Sequence, residues 1–161
     1  MKELDSYLND HLAGSVSALE VIAHWVHVHK GKPLGDFFAA REREIKADQD
    51  VLRSVMSSLS VEESKVRQVS AWAAEKLGRA RLIVAGDEAG SLGLVLTLEG
   101  IIMGVTGKKL MWRALDAANL PQLSGYDFEE LQRRAEQQIQ PLEAERLRAV
   151  SEVFAGTNPS E

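Results

Sequence analysis

The chain has 161 residues, 45% of them hydrophobic and 27% charged, which suits one domain with a core that needs no disulfide staple. It contains no cysteine, which excludes thiolate metal sites, cysteine nucleophiles and disulfides and leaves His, Asp and Glu as the candidate ligands. A net charge of −5 argues against nucleic acid or an anionic membrane as partner, because both recruit clustered Lys and Arg.

The opening MKELDSYLND is acidic and has no apolar segment with a cleavage site, so it does not read as a signal peptide and a cytoplasmic protein is expected. The first helix is predicted from Leu4 to Lys30, stopping at Gly31 with Pro33 just beyond. Leu4, Leu8, Leu12, Ser15, Leu19, Ile22, Ala23 and Val26 recur at three- and four-residue steps and form its core face. Val21, Trp25 and Val28 make a second apolar strip, expected to meet another helix or, in a homodimer, a second subunit. Between the two lies a polar stripe of Ser17, Glu20, His24 and His27. A metal could bind Glu20, His24 and His27 at i, i+4 and i+7, although three ligands on one helix need a fourth from elsewhere. His11 and His29 read as surface residues.

The second helix is predicted from Asp36, as its cap, to Leu59, with Phe38, Ile45, Leu52, Val55, Met56 and Leu59 on its core face. At about 100° per residue, Arg41 and Asp48 fall in the middle of that face and Glu44 at its border. A third helix is predicted from Ser60 to Gly86, opened by the capping box Ser60-x-x-Glu63, with Lys76 inside its core face. The fourth runs from Ser91 to about Asn119, with a break or bend at GVTGKK. Its longest apolar run, Leu92 to Val105, is shorter than the ~20 residues of a membrane span, so it reads as a core helix. Gly93, Thr97, Gly100, Gly104 and Gly107 track one side of it, as in a tight helix contact. Glu99 shares another face with Leu92, Val95, Leu96, Ile102 and Met103 and is expected to be buried. The fifth helix is predicted from Tyr126 to Phe154, with Gln138 and Arg146 among its core residues and Pro141 kinking it. Residues 155–161 read as a frayed tail, and no strand pattern, linker or repeat divides the chain.

A bare internal carboxylate would cost several kcal/mol, on the order of what polar burial generally costs, so Glu99 and Asp48 need a cation or a proton. Two answers compete, with a protonated Glu99 or a water-filled cavity as the third. A di-metal centre of iron or manganese needs inward carboxylates on facing helices with imidazoles at i+3. Glu20, Asp48 and Glu99, with His24 or His27, are the candidate ligands, but no helix carries Glu-x-x-His. Alternatively, Arg41, Lys76 and Arg146 reach core faces opposite Glu44, Asp48 and Glu99 and balance them with no metal.

The stretches YLNDHLAGSVSALE (Tyr7 to Glu20), AWAAEKL (Ala71 to Leu77) and LTLEGIIMGVTGKKLMWRAL (Leu96 to Leu115) resemble small bacterial members of the ferritin-like superfamily. The resemblance covers nearly the whole chain and implies an all-α, ferritin-like helical bundle, in one domain over residues 1–161. Two helix hairpins would be joined by a crossover made by the third helix, leaving the first, second, fourth and fifth as the core. A simple up-down bundle of the first four helices, with the fifth packed alongside, is the alternative. By the resemblance, Glu20 and Glu99 stand where the superfamily has its single glutamates, and Asp48 and Gln138 near its two Glu-x-x-His motifs. Ile45 and Ala135 stand three residues before those positions, so both motifs lack their glutamate and histidine.

The expected function is therefore a non-catalytic binding or interaction module without a cofactor, with internal ion pairs in place of a metal centre. The alternatives are a di-metal carboxylate oxidoreductase and a carrier of a small apolar ligand beneath the crossover helix.

Overall fold

The computed structural model describes residues 2–64 and 89–155. The third predicted helix beyond Ser64, Lys76 with it, and the tail from residue 156 lie outside the described residues. Within them the protein is all helical: α1 (Lys2–Val28), α2 (Pro33–Ser58), α3 (Leu92–Ala118) and α4 (Phe128–Ala155), with a short 3-10 turn at Pro121–Leu123.

Each boundary has a local cause. Lys32 precedes α2 in an extended conformation and Pro33 takes its first position, where a preset φ and a missing N–H cost the helix nothing. The helix therefore begins three residues before Asp36, which lies in the first turn and is not the cap. Ser91 caps α3, its hydroxyl accepting the Leu94 N–H at 3.2 Å. Asn119 ends α3 in the left-handed conformation, φ 45°. Asp127 caps α4 by accepting the Glu130 N–H at 2.8 Å.

The capping box at Ser60 does not form. Ser60 itself is left-handed, with φ 55°, and Val61 to Ser64 are not helical. Glu63 bonds Arg53 at 3.2 Å instead, and the Ser64 N–H goes to Asn9 Oδ1 at 2.8 Å. GVTGKK also differs from expectation: α3 runs through it without a break, and the Thr106 hydroxyl donates back to the Ile102 carbonyl at 2.8 Å.

α1 and α2 form one antiparallel hairpin and α3 and α4 the other, and the two share one interior. Its first apolar cluster joins Ile22 and Trp25, Phe38 and Ile45, Leu98 and Val105, and Leu142 and Ala149. A second joins Leu8 and Leu12, Leu52 and Met56, Met111 and Trp112, and Phe128 and Leu131. The early turns of α2 thus meet the early turns of α3, and the late turns meet the late, so these two helices run parallel. Ser64, beside Asn9, and Gly90, beside Glu152, mark opposite ends of the bundle. The fifth predicted helix, α4, supplies fully buried Ala135, Leu142 and Ala149. It is a core member among the described residues.

The inward faces of two helices, α1 and α3, are rotated from the predicted ones. Val21 and Trp25 lie inside the core, stacked through Trp25 on Phe38 at 5.3 Å, while Ala23 is exposed. Of the two expected contacts for this strip, another helix or a second subunit, Val21 and Trp25 make the first, within this chain's own core. His29, expected at the surface, is 4% exposed and stacks on Trp25 at 5.3 Å. On α3 the inward residues are Leu94, Leu98, Ile101, Val105, Trp112 and Leu115, which leaves Leu92 and Met103 exposed. The small-residue stripe divides. Gly93 and Thr97 are buried, whereas Gly100, Gly104 and Gly107 have open space where a Cβ would stand, so they make no tight helix contact among the described residues.

A polar layer as the candidate functional site

The two apolar clusters are separated by a belt of polar side chains halfway along the bundle. Asp48 sits on α2 between Ile45 of one cluster and Leu52 of the other, and Lys108 on α3 between Val105 and Met111. Gln138 on α4 lies between Ala135 and Leu142, both of the first cluster, with Leu131 of the second two turns before it. Each is at the helical step that keeps it on the inward face, so burial is imposed by its apolar neighbours.

Asp48 is 2% exposed and is the hub. One carboxylate oxygen accepts from the Lys108 ammonium and, at 2.8 Å, from the Gln138 amide; the other accepts from Arg134 at 2.5 Å. Lys108 also donates to the Gln138 carbonyl oxygen at 2.5 Å, which closes a ring of Asp48, Lys108 and Gln138. On the α1 side the belt continues through buried Gln49, whose amide donates to Ser15 at 2.9 Å and whose oxygen takes Arg53 at 2.6 Å. All four described helices thus contribute to one layer.

Burial pushes the Lys108 ammonium below its usual range, with Arg134 acting in the same direction and Asp48 and Glu44 opposing. Two cations meet one buried carboxylate here, and Glu44 adds a further negative charge that acts on Lys108. Glu44 is itself bonded to Arg41 at 2.8 Å. Arg41 Nε and Glu44 Oε2 are buried with no hydrogen-bond partner among the described residues.

The other expected site residues lie apart from this layer. Glu99 is not buried: its side chain is 43% exposed and meets Arg146 at 3.3 Å. Arg146 belongs more closely to Glu143, which it grips through two bonds of 2.6 Å, and that hydrogen bonding holds the Glu143 carboxyl below its usual range. The physical reason Glu99 differs from expectation is the rotation of α3, which turns Ile101 and Val105 inward. Glu20, His24 and His27 occupy the exposed stripe of α1.

Among the described residues no three His, Asp or Glu side chains come together as a group that could hold a metal ion. Between Asp48 and Gln138 stands the Lys108 ammonium. This donor set, one carboxylate and one amide oxygen around a built-in cation with no imidazole, does not fit an iron or manganese centre.

Sequence reading missed Lys108 and Arg134. The signal for Lys108 was present: Leu94, Leu98, Ile101, Val105, Lys108, Trp112 and Leu115 form one unbroken run of three- and four-residue steps. Reading GVTGKK as a break hid it. Arg134 lies three residues after Leu131 and four before Gln138, at the border of the inward face, and reaches Asp48 by its length.

No protein-family model matches this chain, and neither a curated protein nor a solved structure shows significant similarity to it.

Proposed function

We propose that this protein is a non-catalytic, ferritin-like binding or interaction module in which internal ion pairs stand in place of a metal centre. The observation that carries the reading is the Lys108 ammonium bound between Asp48 and Gln138, where an oxygen-liganded ion would otherwise lie. A buried ammonium supplies one positive charge and three fixed donors, enough to hold a carboxylate and an amide oxygen without redox chemistry. The ferritin-like part of the reading rests on the sequence stretches named above, together with two hairpins in which α2 and α3 run parallel. No helix among the described residues is long and apolar enough to cross a membrane, in keeping with a cytoplasmic location as part of the proposal.

Elemental analysis of untagged, dialysed protein tests the reading directly. Iron and manganese well below one atom per chain is the expected result, and stoichiometric metal retained after dialysis would overturn it. The rival di-metal oxidoreductase predicts retained metal that disappears in Glu99→Gln.

A homodimer belongs to the same proposal, and with Trp25 inside the core it has to use other apolar groups, such as exposed Met103 and Leu110 of α3. Binding of a small apolar ligand would show as a copurifying mass in native spectra.

A further inference from the structure

The polar layer is an odd way to fill the middle of an apolar bundle. It buries a carboxylate, an ammonium and an amide between two clusters that are otherwise continuous in composition. Buried ion pairs of this kind are weak contributors to net stability, because desolvation of each ion offsets the attraction between them. The depressed Lys108 agrees with that accounting. What the layer does have is position. Asp48 belongs to the first hairpin, and Lys108, Arg134 and Gln138 all belong to the second.

We propose that this layer fixes the axial register between the two hairpins, selecting one alignment of otherwise interchangeable apolar faces. The two hairpins meet through Leu, Ile, Val, Met and Phe on either side of the layer. A slide of one helical turn, about 5 Å, would return similar apolar side chains to contact. It would also carry Asp48 away from its three donors and into one of the clusters, leaving a buried charge unpaired. Ser54 and Ser58 of α2 meet the Tyr126 hydroxyl at 2.7 and 3.0 Å, but both bonds are exposed, where water can replace them, although the Tyr126 ring is partly buried. The buried layer is therefore what discriminates between registers. This role goes beyond the proposed function and holds whatever the module binds.

The chain has no native cysteine, so a pair of labels can be placed cleanly. Ala47→Cys on α2 and Ser151→Cys on α4 are exposed, belong to different hairpins and are offset along the bundle axis. Spin-label distances between them are compared in the parent and in the variant Asp48→Leu, Lys108→Met, Gln138→Leu. The parent is expected to give one narrow distance. The apolar variant is expected to keep or raise its thermal midpoint while adding a population displaced by about 5 Å, one helical turn.

A single distance matching the parent would overturn the proposal, as would a lowered midpoint or failure to fold, since either would make the layer a source of stability. Asp48→Asn with Lys108→Gln retains hydrogen bonding without charge and is expected to keep the single distance; a displaced population there would also overturn it.

Discussion

Asp48 shows how differently a charge behaves when it is removed alone and when its whole setting is replaced. Deleting the carboxylate leaves the Lys108 ammonium and the Arg134 guanidinium facing each other in a mostly dry layer. Breaking one member out of a buried pair generally costs about 3–5 kcal/mol, and Arg134, a third exposed, can relieve part of this by turning to water. Asp48→Ala is therefore expected to lose about 3 kcal/mol in urea unfolding and Asp48→Asn roughly half of that. A change within about 0.5 kcal/mol, the range of ordinary surface substitutions, would contradict the hub role. Lys108 adds a pH dependence whose sign follows from its burial. Its value in the folded chain is depressed below the ordinary 10.5, so between the two values the unfolded chain binds more protons and stability rises with pH. The contribution is complete above 10.5 and is lost as pH falls through the folded value. The unfolding free energy of the parent minus that of Lys108→Met should rise with pH over the interval just below 10.5, and a flat difference would contradict the burial of that charge.

At the scale of elements, the tightest constraint lies where α1 gives way to α2. The backbone of Gly35 comes so close to the end of α1 that a Cβ there would stand 2.1 Å from the His29 carbonyl oxygen and 2.7 Å from its carbon. Neither is a flexible side-chain end, so the turn itself must move. That turn also seats His29 and Trp25 in their stack with Phe38. Gly35→Ala is expected to destabilise the protein by about 3 kcal/mol, at the upper end of overpacking costs, and to lower the thermal midpoint accordingly. A midpoint equal to the parent's would mean that the turn has slack. Gly100, Gly104 and Gly107, with open space around them, carry no such penalty, and the contrast separates a glycine required by close approach from glycines that merely share a helical stripe.

For the whole molecule, the layer sits midway between two apolar halves and ties one hairpin to the other. With the chain supplying its own internal cation, stability should be indifferent to chelators. Prolonged dialysis against EDTA is expected to leave the thermal midpoint unchanged, whereas a fall of several degrees would signal a metal contributing to the folded state. Both hairpins contribute to each of the two apolar clusters, so they are joined through one core. Loosening of the polar layer should therefore register across both hairpins and not at one helix end.

Helix content, the inward faces of α2 and α4 and the burial of Asp48 and Gln138 could be read from the sequence, because apolar spacing at three and four residues fixes which side of a helix turns away from water. The start of α3 at Ser91 was legible too, because serine commonly opens helices. The partners were not. Whether Asp48 meets Lys76, Lys108 or Arg134 depends on how far one hairpin slides and turns against the other, and no local pattern encodes that. α3 shows the limit most clearly: apolar almost all round, it offered several plausible inward faces, and only packing against three neighbours chose the one that buries Lys108 and leaves Glu99 beside Arg146 in reach of water. The sequence by itself determined a helical bundle with charges inside it. The tertiary structure decided which charges those are, because pairing across hairpins is a property of register, and register is set by the sum of all the contacts.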